Sequence, residues 1–266
     1  MIVLSLFDGI ATGRLALERL GVLVDGYYAS EIDPGCLKIA QMRYPDIVQL
    51  GCVKCVRAAD LPRIALLLAG SPCQGFSRAG RGLGFDDKRS VLFFEFVRLL
   101  RELEPVYFLL ENTRMPLASQ DVVSTHLGVE PLRINSSLVS AQNRDRLYWT
   151  NIPGVTIPAD RCIMLRDIIG AYDCISVYPR GTNSGGLKFY NGKCPTITAG
   201  SWQTNFHVVR FGVKEAFTVE ECERIQTLPV GYTEALCNTR RYKVIGNSWT
   251  SAIIEHILSA LSRESI

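Results

Sequence analysis

Along the first 150 positions, apolar residues fall into short continuous runs separated by stretches where they recur at helical spacing. The runs at 2–6, 25–30, 47–50, 64–69, 105–111 and 129–135 read as strands, and the segments near 12–20, 34–43, 91–102 and 117–126 as helices. That rhythm predicts an α/β fold with a doubly wound, mostly parallel sheet. Ile64 to Ala69 is too short for a typical helix and too continuous for a half-exposed strand, so it is expected to be central and covered on both faces. Leu15, Leu17 and Leu20 follow a glycine-bearing turn, and Gly21 marks the helix end, where a left-handed residue costs least.

From about 152 to 213 helical periodicity fades and Pro, Gly, Thr, Ser and Asn become frequent, which reads as a small loop-rich insertion. Helical pattern returns at Thr218-Val-Glu-Glu221, a capping-box signature for a helix to about Gln226, and from Asn247 onward, where Ile253, Ile257 and Leu261 share a face. The expected organisation is an α/β domain over 1–151, an insertion over 152–213, and a return to the first domain over 214–266.

Composition narrows the class. The chain has 266 residues, 47% of them hydrophobic, and a formal charge of only +3, so any polyanion contact depends on where the bases lie. They gather at Arg78, Arg81, Lys88 and Arg89, at Arg144 and Arg146, and at Arg180, Lys188 and Lys193. No apolar run approaches a membrane span, and the amino terminus begins as a strand without a basic leader. Nine irregularly placed cysteines fit a reducing compartment better than a disulfide framework. Cys52 and Cys55 form the one C-x-x-C pair; with no second pair or histidine cluster, no metal site is expected.

The candidate chemistry sits at predicted strand ends, where open parallel sheets gather their working residues. Cys73 follows the 64–69 strand in Ser71-Pro-Cys-Gln-Gly-Phe-Ser77, a setting too polar for a core thiol, and reads as a nucleophile. Glu111-Asn112 ends the 105–111 strand on the same rim. A thiolate adding to an electron-poor ring builds charge on a ring nitrogen, which a nearby carboxylic acid can stabilise. In Gln142-x-Arg144-x-Arg146 the alternation sends both arginines to one face of an extended segment, to bind a ring oxygen, a phosphate or an acidic neighbour. The turn Phe7-Asp-Gly-Ile-Ala-Thr-Gly13 lets a ligand approach backbone amides at a helix start, and Glu31 at the next strand end suits a ribose; together they point to an adenosine-containing cofactor.

Phe7-Asp-Gly-Ile-Ala-Thr-Gly13, Ser71-Pro-Cys-Gln-Gly-Phe-Ser77, Glu111-Asn112, Gln142-x-Arg144-x-Arg146 and Gly246-Asn-Ser248 occur in the order and approximate spacing of DNA cytosine carbon-5 methyltransferases, which the chain resembles over nearly its whole length. The opening, Leu92-Phe-Phe-Glu-Phe96 and Ser248-Trp249 look most like the vertebrate de novo branch, although the compact chain fits a bacterial or phage source. The resemblance implies the S-adenosylmethionine-dependent methyltransferase fold, with S-adenosylhomocysteine as the product of the donor. It places the donor against Phe7, Asp8, Gly9, Ile10, Ala11, Thr12, Gly13, Glu31, Ile32, Cys52, Val53, Ser71, Pro72, Asn247, Ser248 and Trp249. By similarity Cys73 attacks carbon 6 of a cytosine flipped out of duplex DNA, Glu111 engages ring nitrogen 3, Arg146 holds the exocyclic oxygen and Arg144 supports the arrangement. DNA contacts are expected from Gln74, Ser77, Gln142, Arg180, Asn183, Lys188, Asn191, Thr196 and Thr198, the last two in the Cys194-Pro-Thr-Ile-Thr198 segment. So small a recognition region also implies a homodimer.

Two positions depart from the family pattern. The usual acid that receives the adenine amino group is replaced in Gly51-Cys52-Val53, which shifts recognition toward the Val53 amide or Asp60. Glu-Asn-Val reads Glu111-Asn-Thr113. Competing readings are a tRNA cytosine methyltransferase, whose Cys-Phe-Thr signature is not found, and a catalytically silent DNA-binding regulatory homologue. Expected localisation is cytoplasmic, or nuclear in a eukaryote, with no membrane association.

Overall fold

The computed structural model describes residues 1–70, 91–178, 185–188, 192–200 and 206–261. They divide into two compact units: Met1–Ile134, Asp145–Ile157 and Ile254–Ile266 make the larger, Asn135–Arg144 and Pro158–Ile253 the smaller.

The larger unit contains β1 (Ile2–Leu6), α1 (Thr12–Arg19), β2 (Gly26–Ser30), α2 (Pro34–Arg43), β3 (Val48–Gln49), β4 (Leu66–Gly70), α3 (Val91–Leu103), β5 (Tyr107–Thr113), α4 (Leu117–Leu127) and β6 (Leu132–Asn135), which ends at the boundary. After β7 (Gln142–Asn143) in the smaller unit, the chain returns as β8 (Asp145–Thr150). The seven-stranded sheet runs β3-β2-β1-β4-β5-β8-β6. β1 lies parallel to β2 and β4, and β4 to β5, while β8 enters antiparallel to β5. The sheet is thus doubly wound and mostly parallel, and its order reverses between β1 and β4, where such sheets open a crevice.

Leu66, Leu67, Leu68 and Ala69 are all fully buried, as their uninterrupted apolar run requires. Leu4, Leu6, Leu67, Ala69, Leu110 and Trp149 join Phe93, Phe96, Val97 and Leu99 of α3 and Val123 and Leu127 of α4 in one core. Truncating a buried phenylalanine such as Phe96 to alanine costs about 3–5 kcal/mol. α1 ends at Leu20 with Gly21 at φ +68°, its N–H bonded to Glu18 O and that of Val22 to Leu17 O.

The smaller unit holds α5 (Leu165–Ile169), β9 (Cys174–Val177), β10 (Gly186–Lys188), β11 (Cys194–Pro195), β12 (Phe206–Arg210), β13 (Val213–Glu215), α6 (Val219–Ile225) and α7 (Asn238–Asn247); α8 (Ser251–Leu258) crosses back into the larger unit. β10-β9-β12-β13 form one sheet, antiparallel at each pairing, and β11 pairs with β7. This unit holds 135–144 and 158–253, while 152–157 belongs to the larger unit. The helix expected from Asn247 starts only at Ser251, because Asn247 is the last residue of another helix, α7. α7 stops where Ser248 turns extended, its hydroxyl bonded to Ile245 O, and α8 begins at Ser251 with Ile253, Ile257 and Leu261 buried. Among the described residues no helix is long and apolar enough to cross a membrane.

Candidate active site

In the larger unit, the candidate residues lie along neighbouring strand ends. Glu111 and Arg146 form an ion pair, Nε to Oε1 2.9 Å, with side chains 10% and 14% exposed. Sheet register explains it: Glu111 lies opposite Tyr148 and Thr113 opposite Arg146, so Glu111 and Arg146 are diagonal neighbours on one face of the β5–β8 pair. Arg146 also donates to Asp145 O at 2.9 Å. Gly70, the last described residue before the Cys73 segment, is the register partner of Glu111. Asn112 is buried, its Oδ1 accepting from the Thr113 N–H at 2.8 Å; the buried Thr113 hydroxyl has no hydrogen-bond partner among the described residues. Ser71, Pro72, Cys73, Gln74 and Ser77 lie outside the described residues.

The ends of β1, β2 and β3 adjoin in the sheet. The 7–13 turn uses left-handed backbone at Phe7, Gly9 and Ala11 (φ 57°, 61° and 60°). Only Phe7 and Gly9 are partly exposed there, while Asp8, Ile10, Ala11, Thr12 and Gly13 are buried, so the turn offers backbone more than side chains. Glu31 accepts from the N–H groups of Gly9 (2.8 Å), Ile32 (2.6 Å) and Asp33 (2.8 Å), which locks this turn to the end of β2. A carboxylate has about four acceptor sites, which leaves room for a hydroxyl. Ile32 stands beside it 71% exposed, an apolar plate. Unlike α2, which Asp33 caps through the N–H groups of Gly35 and Cys36, α1 starts at Ala11 with no side-chain cap, so the helix start is open to a ligand's anionic group. A Cβ on Gly9 would meet nothing within 4 Å. This donor set, with Cys52 exposed after β3 and Val53 buried behind it, fits an adenosine-bearing cofactor. Asp60 is ion-paired to Arg57 (2.8 Å) on the surface.

Asp8 turns inward. Burial, the largest cause, pushes its pKa up to about 7, Glu31 acts in the same direction, and the Ser5 and Tyr27 hydroxyls oppose them. Tyr27 Oη donates to Oδ1 at 2.8 Å, whereas Oδ2 and the Ser5 hydroxyl are buried without a well-formed bond among the described residues.

The smaller unit ties its residues into a buried polar knot. Gln142 is fully buried: Nε2 donates to Gln226 Oε1 (2.7 Å) and Ile225 O (3.2 Å), and Oε1 accepts from Ile197 N–H (3.1 Å). It therefore presents no amide to DNA here. Arg144 is the single residue between β7 and β8, not part of one extended segment with Arg146. Its guanidinium donates to the carbonyls of Ile197 (2.9 Å), Gly246 (3.3 Å) and Ser248 (2.8 Å). Gln226 Nε2 reaches Ile245 O and Ser248 O, a role that its place at a predicted helix end gave no sign of. Gly246 packs so tightly that a Cβ would lie 2.2 Å from the Thr198 carbonyl carbon. Thr196 donates to Asn143 O; Thr196, Thr198 and Lys188 are half-buried. Asn247 is exposed, Ser248 and Trp249 buried. Arg180, Asn183 and Asn191 lie outside the described residues.

The sequence model of the C-5 cytosine-specific DNA methylase family matches residues 1–126 and 180–263. The chain is 39% identical over 113 residues to the type II methyltransferase M.NgoBV of Neisseria gonorrhoeae, covering 41% of this chain and 27% of that protein. It is 31% identical over 205 residues to the orphan methyltransferase M.Rho11sI of Bacillus phage rho11s, covering 72% and 40%. The chain thus spans well under half the length of these relatives. Among solved structures, the Entamoeba histolytica methyltransferase EhMeth superposes with a TM-score of 0.74 at 14% identity, covering 98% of this chain and 97% of that one. The S. pombe Dnmt2 methyltransferase gives 0.68 at 17%, covering 98% of each. At these identities, the likeness is one of fold.

Proposed function

The chain belongs to the C-5 cytosine-specific DNA methylase family, and from that premise we propose that it methylates carbon 5 of cytosine in double-stranded DNA. The observation that carries the reading is the Glu111–Arg146 pair beside the strand end that leads to Cys73.

Cys73 forms a bond from sulfur to carbon 6 of the flipped base, which makes carbon 5 nucleophilic. Glu111, fixed by Arg146, holds a proton at ring nitrogen 3 as charge accumulates there. S-adenosylmethionine supplies the electrophilic methyl group. Loss of the carbon-5 proton and cleavage of the sulfur–carbon bond then regenerate Cys73. The 7–13 turn, Glu31, Ile32 and Val53 hold the donor. Arg144 and Gln142 position the Ile197 segment from within the smaller unit. Thr196, Thr198, Lys188, Arg180, Asn183 and Asn191 remain the candidates for DNA contact, with Gln74 filling the space left by the base. The protein works in the cytoplasm of a bacterial or phage-infected cell, as a homodimer; light scattering showing a fully active monomer would remove the dimer.

Tritiated S-adenosylmethionine offered with duplex DNA and with tRNA decides the reading. Wild type labels DNA at cytosine carbon 5 and Cys73→Ser does not. Label in tRNA alone, or undiminished label in the variant, overturns it. A covalent adduct with 5-fluorocytosine DNA, in which fluorine blocks elimination, reports the Cys73 bond directly.

A further inference from the structure

Cys52 and Cys55 are both exposed, at the two ends of one 3-10 turn over Val53–Cys55, and methyl transfer leaves their thiols unused. The Cys55 N–H donates to Cys52 O at 2.9 Å, which closes the turn. A turn closed by such an i to i+3 bond keeps its two end Cα atoms less than about 7 Å apart. Disulfides accept Cα separations of about 4.4–6.8 Å. A metal would need more ligands, and among the described residues no three His, Cys, Asp or Glu side chains converge on one point.

We propose that Cys52 and Cys55 are a reversible dithiol–disulfide site, taking a low-molecular-weight disulfide as oxidant, and that closing the bridge weakens the adjoining cofactor site. In the reaction, one cysteine thiolate attacks the oxidant and expels a thiolate. The second cysteine attacks the resulting mixed disulfide and expels the other. Two protein thiols lose two protons and two electrons to form one S–S bond, and the oxidant is reduced to two thiols.

The coupling follows from what the turn can and cannot move. The Cβ atoms must come to about 3.8 Å for a bridge, and with Cys52 extended at ψ 129° the turn has to rearrange to bring them together. Its far side is held, because Val53 is buried and the Arg98 guanidinium donates to Val53 O (3.5 Å) and Val56 O (2.9 Å). The displacement therefore falls on Cys52 and on Gly51, whose φ of +71° and open surroundings allow it to swing. Gly51 O accepts from Ser30 Oγ at 2.8 Å, one residue before Glu31, so the strain reaches the residues read as holding the donor. This effect rests on the cofactor reading above; formation of the bridge does not.

The test uses the full chain in a Cys73→Ser background, poised in glutathione buffers from reducing to oxidising. Peptide mass analysis reads the Cys52–Cys55 bridge, and calorimetry reads S-adenosylmethionine affinity. The expected result is a Cys52–Cys55 bridge and an affinity about tenfold weaker when oxidised, a usual size for coupled sites. In Cys55→Ser, affinity stays at the reduced value under every poise, which separates this pair from the exposed Cys162 and Cys237. Linkage requires saturating S-adenosylmethionine to disfavour the bridge by the same factor. Absence of the bridge across the whole range, or a bridge that leaves affinity unchanged, overturns the proposal. Failure of the reduced protein to bind S-adenosylmethionine overturns the methyl-donor reading and takes the coupling with it.

Discussion

Arg144 and Arg146 stand two positions apart yet belong to different compact units and are held in different ways. Arg146, in the larger unit, is paired to one carboxylate at a strand end and is 14% exposed. Arg144, in the smaller, is buried with its guanidinium on three backbone carbonyls. Backbone carbonyls are fixed by the fold, so a cation committed to them is an internal brace. A cation on a side-chain carboxylate keeps an orientation that chemistry can use. The same contrast separates Glu31, which keeps acceptor capacity at the rim, from Gln142, whose amide the knot absorbs.

Glu111→Gln sharpens this contrast most. Glutamine can still accept from Arg146, so stability falls by only about 1 kcal/mol. Methyl transfer loses its acid and slows by about 10²–10⁴-fold. Urea unfolding and single-turnover label transfer together check this, and a stability loss as large as the barrier change would make Glu111 a brace like Arg144. Arg144→Ala should do the reverse, removing about 3–5 kcal/mol of stability by leaving buried carbonyls unpaired. A folded Arg144→Ala protein with unchanged urea midpoint would break the contrast.

Asp8 tests whether burial at the rim behaves as it does in the knot. Folding raises its pKa from 3.8 to about 7, so between these values the folded chain holds the extra proton. The stability from Asp8 is full below the lower value and fades as pH rises through the upper one. Asp8→Asn keeps the Tyr27 contact and removes the fade. Its advantage over wild type should grow from about pH 4 to pH 7, by a few kcal/mol at about 1.4 per unit, and a pH-independent difference in urea unfolding would refute the shift. The smallest effect expected is at Thr113→Val. Its buried hydroxyl has no partner among the described residues, so removing it should stabilise by about 1 kcal/mol, read as a rise in melting temperature; a loss of stability would mean that the hydroxyl is satisfied after all.

Strand and helix positions in the larger unit were legible because both depend on local periodicity, and β4 and α3 fall close to the runs at 64–69 and 91–102. Neighbouring strand ends follow from parallel topology, which is why Glu31 and Glu111 could be placed on a rim. The state of Gln142 and Gln226 could not be read, since a glutamine that braces a turn and one that faces water look alike in sequence, and their partners lie 83 or 84 and 19 or 22 positions away. α7 escaped for a local reason: it opens at Cys237 without a side-chain cap and through the polar run Asn-Thr-Arg-Arg.

The larger unit is discontinuous along the chain, and its last part, which includes most of α8, comes after the smaller unit. Arg19 of α1 meets Glu255 of α8 at 2.7 Å across 236 positions. During synthesis the sheet strands and α1 therefore leave the ribosome long before α8 can reach them. The smaller unit has all its residues by then and can close first, so completion of the larger unit is a late event in the life of each new molecule.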